Sequence, residues 1–329
     1  MNITNANGPT ISGFDIKKAV KNNTGVLTVY GSVLITFFLA GIIEPDVLSV
    51  ENILTILHHM ASLGVVAIGQ TFCILSGTFD LSVGSVISLS NLLFSGTLYG
   101  RAEMLLPALL LSLGIGVVIG LINGLLIAKA RINPFVTTLA MMAMAQGAAL
   151  MYYTGPYGKI TPAVKWLGYG KIGPIPVPAL LLAFFFALGL IVLTKTRFGL
   201  HVYAMGGGLD SARLSGVKTV RMRLATHVIC SVMAVVTGIY YSARMGTGDP
   251  YSGVGVELES IAAVCIAGTS LFGGRGSLWG TLGGVMLMTM LSNAFNHLNL
   301  TTTIQLIIRG AIIIAAVGVH TIRSRDFGK

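Results

Sequence analysis

The sequence predicts an all-α polytopic membrane protein with about ten transmembrane helices and both termini in the cytoplasm. Three observations predict it. Of the 329 residues, 54% are hydrophobic and only 10% charged, with a mean hydropathy of +0.83, whereas soluble domains carry about 25% charged residues. The apolar residues fall in runs of about 20, the length of helix that crosses a hydrocarbon core. The cations gather at alternate turns between those runs, as they do in loops held on the cytoplasmic side.

Lys17, Lys18 and Lys21 hold the N-terminal tail, residues 1–24, inside, ahead of the first span at about Gly25–Ile43. Met1 to Asp15 are polar and lack a signal-peptide pattern, so the first span is expected to serve as an uncleaved insertion signal. Glu44, Asp46 and Glu51 follow without a cation, as suits the outer side. The second span is about Ile53–Leu75 and the third Val83–Leu98. An outer loop with Arg101 and Glu103 leads to the fourth, Met104–Ala128. Lys129 and Arg131 return the chain inside. The fifth span, Pro134–Tyr153, exits to a Gly- and Pro-rich loop, Thr154–Pro174, and the sixth is Ile175–Leu193. Arg101, Lys159, Lys165 and Lys171 are the cations expected outside.

Beyond a basic island at 195–223, the seventh span is about Leu224–Ala243. An outer loop carries Asp249, Glu257 and Glu259 before a short eighth span, Ile261–Leu271. Arg275 marks an inner turn, and the ninth span is Leu278–His297. Asn299 to Thr303 turn outside, the tenth span is Ile304–Thr321, and Arg323, Arg325 and Lys329 hold the tail, 323–329, inside. The reading is one transmembrane domain, 25–322. Gly116, Gly120 and Gly124 on the fourth span and Gly276, Gly280 and Gly284 on the ninth form small-residue stripes for close helix packing. With five spans between them they hint at an inverted duplication of spans 2–5 and 7–10.

Within the island, Lys195, Arg197, Arg213, Lys218, Arg221 and Arg223 are fixed cations, His201 is a seventh candidate, and only Asp210 opposes them. Gly206-Gly207-Gly208 is expected to break the chain. Leu209 to Ser215 has the composition of a short helix, with Asp210 or Ser211 near its start and Gly216 past its end. A helix presented to the cytosol between two spans is a shape another protein can grip.

Tyr203 to Val217 resembles the cytoplasmic coupling segment of ABC-importer permeases of the ribose, galactose and xylose type, which usually runs Y-A-x-G-G-N-x-x-A-A-R-L-S-G-I. Gly208 departs from the usual Asn, so Asp210 or Ser211 would take over its capping. Ser76 to Ser85 resembles the family's S-G-G-I-D-L-S-V-G-S except at Thr78 and Phe79. Gly253 to Val264 and Gly268 to Thr281 resemble its G-x-G-x-E-L-D-A-I-A-A-V and G-G-T-S-L-x-G-G-x-G-x-x-x-G-T. The resemblance implies a coupling surface of Ala204, Gly206, Gly207, Asp210, Ser211, Ala212, Arg213, Leu214, Ser215 and Gly216. It also implies a separate ATPase subunit that holds ATP and Mg, a periplasmic or lipid-anchored sugar-binding protein, a second permease copy or relative, and the bacterial inner membrane. No cofactor or metal is expected in this chain. Glu257 and Glu259 are candidate contacts for the binding protein.

Asp80 costs about 2.5–3.5 kcal/mol at the middle of a spanning helix and needs a partner or water. Two roles stand open for it: a gate on the sugar path, or a cap on the third helix. With Ser82, Asn123, Gln146, Asn293 and Asn296 it forms the candidate path set, although such amides also join neighbouring helices. His227 and His297 read as interfacial, and adjacent His58 and His59 as poor joint ligands. Trp166, Trp279, Tyr152, Tyr153, Tyr240 and Tyr241 suit aromatic belts. Cys73, Cys230 and Cys265 read as buried hydrophobes.

The chain has no G-x-x-x-x-G-K-[ST] phosphate loop, no H-E-x-x-H and no G-x-S-x-G, so it is expected to be a permease and not an enzyme. Its net charge of +10 lies at span ends and is no nucleic-acid signature. The alternative is an ion-coupled secondary sugar transporter, with Asp80 as its coupling carboxylate.

Overall fold

The structure, a computed structural model, describes residues 24–266, 268–301, 303–305, 307–308, 310–312 and 314. Long apolar helices dominate it: α1 (Thr24–Ile43), α2 (Val50–Leu75), α4 (Leu105–Ala128), α5 (Pro134–Tyr152), α7 (Val177–Lys195), α10 (Thr219–Met245) and α12 (Leu278–His297). Among the described residues, these are the seven that are long and apolar enough to cross a membrane. Their ends follow local chemistry. Ser49, Asn133 and Ser277 each accept a backbone N–H at the start of α2, α5 and α12. Gly77 and Gly246 adopt φ of +82° and +81° just past α2 and α10, a left-handed stop that glycine takes without cost.

The expected third and eighth spans are helices too short for a full crossing, the eighth about half of one. α3 (Val83–Leu98) has 16 residues and α11 (Val256–Ile266) has 11, about 24 and 16 Å against a hydrocarbon core of about 30 Å. The eighth segment starts earlier than its apolar run suggested, so Glu257 and Glu259 lie in α11 and not in a preceding loop. Helical residues resume at 303–305, 307–308, 310–312 and 314, the start of the tenth span. The rest of that span, the N-terminal lysines and the C-terminal tail lie outside the described residues.

The duplication is visible in packing. α10 packs on α4 and α3, as α2 packs on α12 and α11; α3 packs on α4 as α11 packs on α12. Ser76-Gly77-Thr78-Phe79-Asp80 after α2 corresponds to Met245-Gly246-Thr247-Gly248-Asp249 after α10. In both, the Asp Oδ1 accepts the N–H two residues on, from Ser82 at 2.8 Å and from Tyr251 at 2.7 Å. Each half therefore re-enters the bundle after a full-length helix and then runs on as a short helix, the two in opposite senses. The glycine stripes are not equivalent, which corrects the sequence expectation. On α4, Gly116, Gly120 and Gly124 seat the backbone of α10 at Ser231, Val228 and Leu224. Gly276 instead precedes α12 in a loop at φ +149°, while Gly284 meets Ala263 of α11.

One end of the bundle is basic, carrying Lys129, Arg131, Arg213, Lys218, Arg221 and Arg275; the other is mixed, with Glu44, Asp46, Glu51, Glu103 and Asp249 beside Arg101, Lys159, Lys165, Lys171 and Arg244. The 154–174 segment at that mixed end is not irregular. Thr161 caps α6 (Pro162–Tyr169) with Pro162 in its first turn, and β1 (Lys171–Ile172) pairs with β2 (Ile175–Pro176). At the basic end, α8 (Arg197–Gly207) and α9 (Leu209–Leu214) build the island.

Candidate functional site

A polar cavity of about 350 Å³ lies between α2, α10, α11 and α12. His59 and Ser62 come from α2, Tyr241 from α10, Glu259 from α11, and Thr289, Ser292, Asn293 and Asn296 from α12. Gln305 closes one side, and Leu63, Val256 and Met288 supply apolar wall. Asn293 donates to Asn52 Oδ1 at 2.7 Å and receives from Asn52 Nδ2 at 3.0 Å, while Gln305 Nε2 donates to Asn296 at 2.9 Å. The Arg244 guanidinium rests on the His59 ring at 3.2 Å. Met288 is ten residues, about 15 Å, from the basic end of α12, so the cavity reaches the middle of the bundle. It shares His59, Asn293 and Asn296 with a vestibule of about 480 Å³ whose rim carries Asp46, Ser49 and Glu51.

Asp80, Ser82 and Asn123 are placed elsewhere, fully buried between α3, α4 and α10. Asp80 Oδ1 accepts from the Ser82 backbone and hydroxyl. Asn123 Nδ2 reaches Asp80 Oδ2 at 3.3 Å and Ser82 Oγ at 3.0 Å, and His227 Nδ1 lies 3.3 Å from Asp80 Oδ2. The carboxylate thus serves the turn before α3 and ties it to two other helices. His227 is fully buried and not interfacial, a correction that follows from this partner 147 residues away. Gln146 donates to Pro250 O at 2.9 Å and joins neither group. Tyr240 also leaves the aromatic belt: it is buried and donates to His58 O at 2.9 Å. Tyr152, Tyr153, Trp166 and Trp279 remain exposed.

At the basic end, α8 runs through Gly206 and Gly207, so the chain breaks only at Gly208. Gly208 is also the N-cap of α9, which has no side-chain cap bond; neither Asp210 nor Ser211 replaces the missing Asn. Ala212 is the buried anchor of α9, while Ala204, Gly207, Asp210, Ser211, Arg213, Leu214, Ser215 and Gly216 are exposed. Leu214 is 90% exposed, with Leu200 at 70% and Phe272 at 73% on the same end. Gly206 packs into a junction formed by Leu75 O, Gly273 and Gly274. Gly274 N donates to Leu75 O at 3.0 Å, and Tyr203 Oη donates to Gly276 O at 3.0 Å. Burial raises the Tyr203 phenol above its usual range. The island is thereby bonded to the loop between α11 and α12 and packed, through Gly206, against the inner end of α2.

The three cysteines are free and buried, as expected, and no group of three metal-ligating side chains occurs among the described residues. The cavity residues His59, Ser62, Tyr241, Thr289 and Ser292 were not singled out from sequence as path candidates. The readable signal was hydroxyl and imidazole side chains recurring inside apolar helices.

Residues 52–317 match the family described as branched-chain amino acid transport system / permease component. The chain is similar to the ribose import permease protein RbsC of Bacillus subtilis, 37% identical over 89% of this chain and 92% of the relative. RbsC of Escherichia coli K12 is 31% identical over 87% of this chain and 90% of its own length. The L-arabinose transport system permease protein AraH of Escherichia coli K12 is 32% identical over 95% and 94%. No solved structure gives a match.

Proposed function

The chain belongs to the permease-component family of branched-chain amino acid transport systems, a multi-pass membrane protein, and on that footing we propose that it is the permease subunit of an ATP-driven importer for a monosaccharide or similar small polyol. Its relatives named for ribose and L-arabinose support the substrate class. A separate ATPase grips α9 from the cytoplasm, a substrate-loaded binding protein docks at the opposite end, and a second permease copy or relative completes the path in the bacterial inner membrane. The observation that carries the coupling is the exposed α9, anchored by Ala212 and followed by the left-handed Gly216. ATP binding moves that helix, and the Gly206–Gly274 junction passes the movement to α2 and the α11–α12 loop.

Asn293 and Asn296 belong to the path, whose outer part is the polar cavity. Asp80, Ser82 and Asn123 hold the re-entrant turn before α3 and act on the path through it. The ion-coupled alternative read from the sequence takes Asp80 as its coupling carboxylate, and that carboxylate is already engaged by Ser82, Asn123 and His227.

The test is reconstitution with the ATPase and the binding protein, reading ATP hydrolysis as loaded binding protein is added. Wild type is stimulated and Arg213→Glu is not. Sugar movement by this chain alone on an ion gradient would instead establish the secondary transporter.

A further inference from the structure

We infer that the cavity between α2, α10, α11 and α12 is a binding site of the permease itself for a neutral cyclic polyol, with Glu259 and Thr289 as specificity-determining residues. The inference rests on the importer reading for the identity of the cargo, but it adds selection by the permease to selection by the binding protein.

Four observations carry it. The cavity, at about 350 Å³, falls in the size range of small-molecule sites. It is polar at a depth where polar surface has to be bonded or wet. The Ser252 hydroxyl is buried at its wall without a hydrogen-bond partner, and buried polar groups in proteins are otherwise paired. The Thr289 side chain, in the second half of α12, is turned to the same space and makes no bond to the helix, unlike Ser292, which donates to Met288 O.

The donor and acceptor set decides the ligand class. One carboxylate, hydroxyls and amides offer both donors and acceptors, as a ring of hydroxyl groups requires. Glu259 is the one carboxylate among the described lining residues, and no Lys or Arg is among them; acceptors without a fixed cation suit sugar hydroxyls and not a phosphate. The Tyr241 ring stands at the same wall as a flat apolar face for the C–H side of a sugar ring. Below, Leu63 and Met288 close the floor, and the Thr71–Thr281 hydrogen bond at 2.9 Å seals α2 against α12 toward the basic end. A ligand entering from the vestibule therefore stops at mid-depth instead of passing through.

The purified chain in lipid nanodiscs, without ATPase or binding protein, is titrated with D-ribose and L-arabinose, and saturation-transfer NMR reads the sugar protons. D-ribose 5-phosphate and cyclohexanol are the charged and apolar probes. Both sugars are expected to give saturable transfer and the two probes none. Glu259→Gln weakens sugar binding at least about tenfold, because a hydrogen bond to a charged group is worth a factor of ten or more. Thr289→Val, which keeps the shape and removes the hydroxyl, weakens it as well; it decides the matter if Glu259→Gln fails to fold. Gly114→Ala, at an open position on α4, binds as wild type does. No transfer to either sugar, equal transfer to cyclohexanol or the phosphate, or unchanged binding by both variants overturns the site. If the full complex imports sugar while the isolated chain binds none, the site fails and the importer reading stands. If the chain binds sugar while loaded binding protein never stimulates the ATPase, the importer reading fails and the site stands.

Discussion

Gly84 and Glu257, each the second residue of a short helix, touch where the two halves of the bundle meet. A Cβ on Gly84 would strike the Glu257 carboxylate and lie 2.6 Å from Gly253 O. The Glu257 carboxylate itself accepts the Gly255 N–H at 3.1 Å, so it has no room to retreat without losing that bond. Gly84→Ala is therefore expected to lose about 1–3 kcal/mol of stability, the usual cost of an overpacked core. Gly114→Ala, with nothing within 4 Å, stays within about 0.5 kcal/mol. The three buried free thiols report the transition: a thiol-reactive dye in detergent reads their exposure on heating. Equal melting of the two variants would show that the short helices do not meet as described.

Asp80 and His227 form the second test. Removing one partner leaves the other buried without its bond, which costs about 3–5 kcal/mol when the pair is ionic. His227→Gln and Asp80→Asn are each expected to melt far below wild type. The double variant Asp80→Asn/His227→Gln, neutral at both places, recovers most of the loss. Additive single and double effects in the same melting experiment would mean that the two side chains do not couple.

The glycine junction separates coupling from folding. Tyr203→Phe removes one hydrogen bond, to Gly276 O, worth about 1 kcal/mol; the chain folds. The island is then less firmly joined to the α11–α12 loop, so sugar import per ATP falls while the ATPase still turns over. Gly206→Ala, whose Cβ would enter Leu75 O and Gly274 N, is expected to disrupt the junction outright. Gly114→Ala, with open space around it on α4, is neutral in both assays. An unchanged import-to-ATP ratio in Tyr203→Phe would rule out this contact as a transmission point.

The span boundaries were legible because an apolar run has to match a fixed membrane thickness. Val83–Leu98 and Leu278–His297 were placed to the residue. The third and eighth runs were counted as spans from the sequence, and only the fold shows them as helices of 16 and 11 residues. α8 was missed because its cations and its glycine pair resemble a loop, while its one-sided burial at Gly199, Val202 and Met205 depends on what it packs against. α6 carried a readable start in Thr161-Pro162, masked by the glycines and prolines around it. The repeated Gly-Thr-x-Asp turn at 77–80 and 246–249 was the better sign of duplication than the glycine stripes. His227 had no local signal at all: beside Arg221 and Arg223 it looks interfacial, and only the fold brings Asp80 to it. The cavity likewise gathers isolated polar residues from four helices that share no motif.

Leu214 is the residue by which the cytoplasmic surface stands or falls. It is 90% exposed on a helix of six residues, too short to persist by propensity alone and held instead by Ala212 and the Val217 N–H bonded to Ala212 O at 3.0 Å. On the importer reading proposed above, the ATPase is the partner that buries this side chain. Burying a leucine is worth about 1.5–3 kcal/mol, roughly a tenfold to hundredfold change in affinity. Leu214→Ala is therefore expected to melt as wild type does and to require at least tenfold more ATPase for half-maximal complex formation, read by light scattering on nanodisc-held permease. Arg213→Glu, beside it, adds a salt-dependent loss, because exposed charges act through a screened field. If Leu214→Ala assembles with wild-type affinity, α9 is not the gripped element. The search for the ATPase contact would then move to exposed Phe272 on the neighbouring loop.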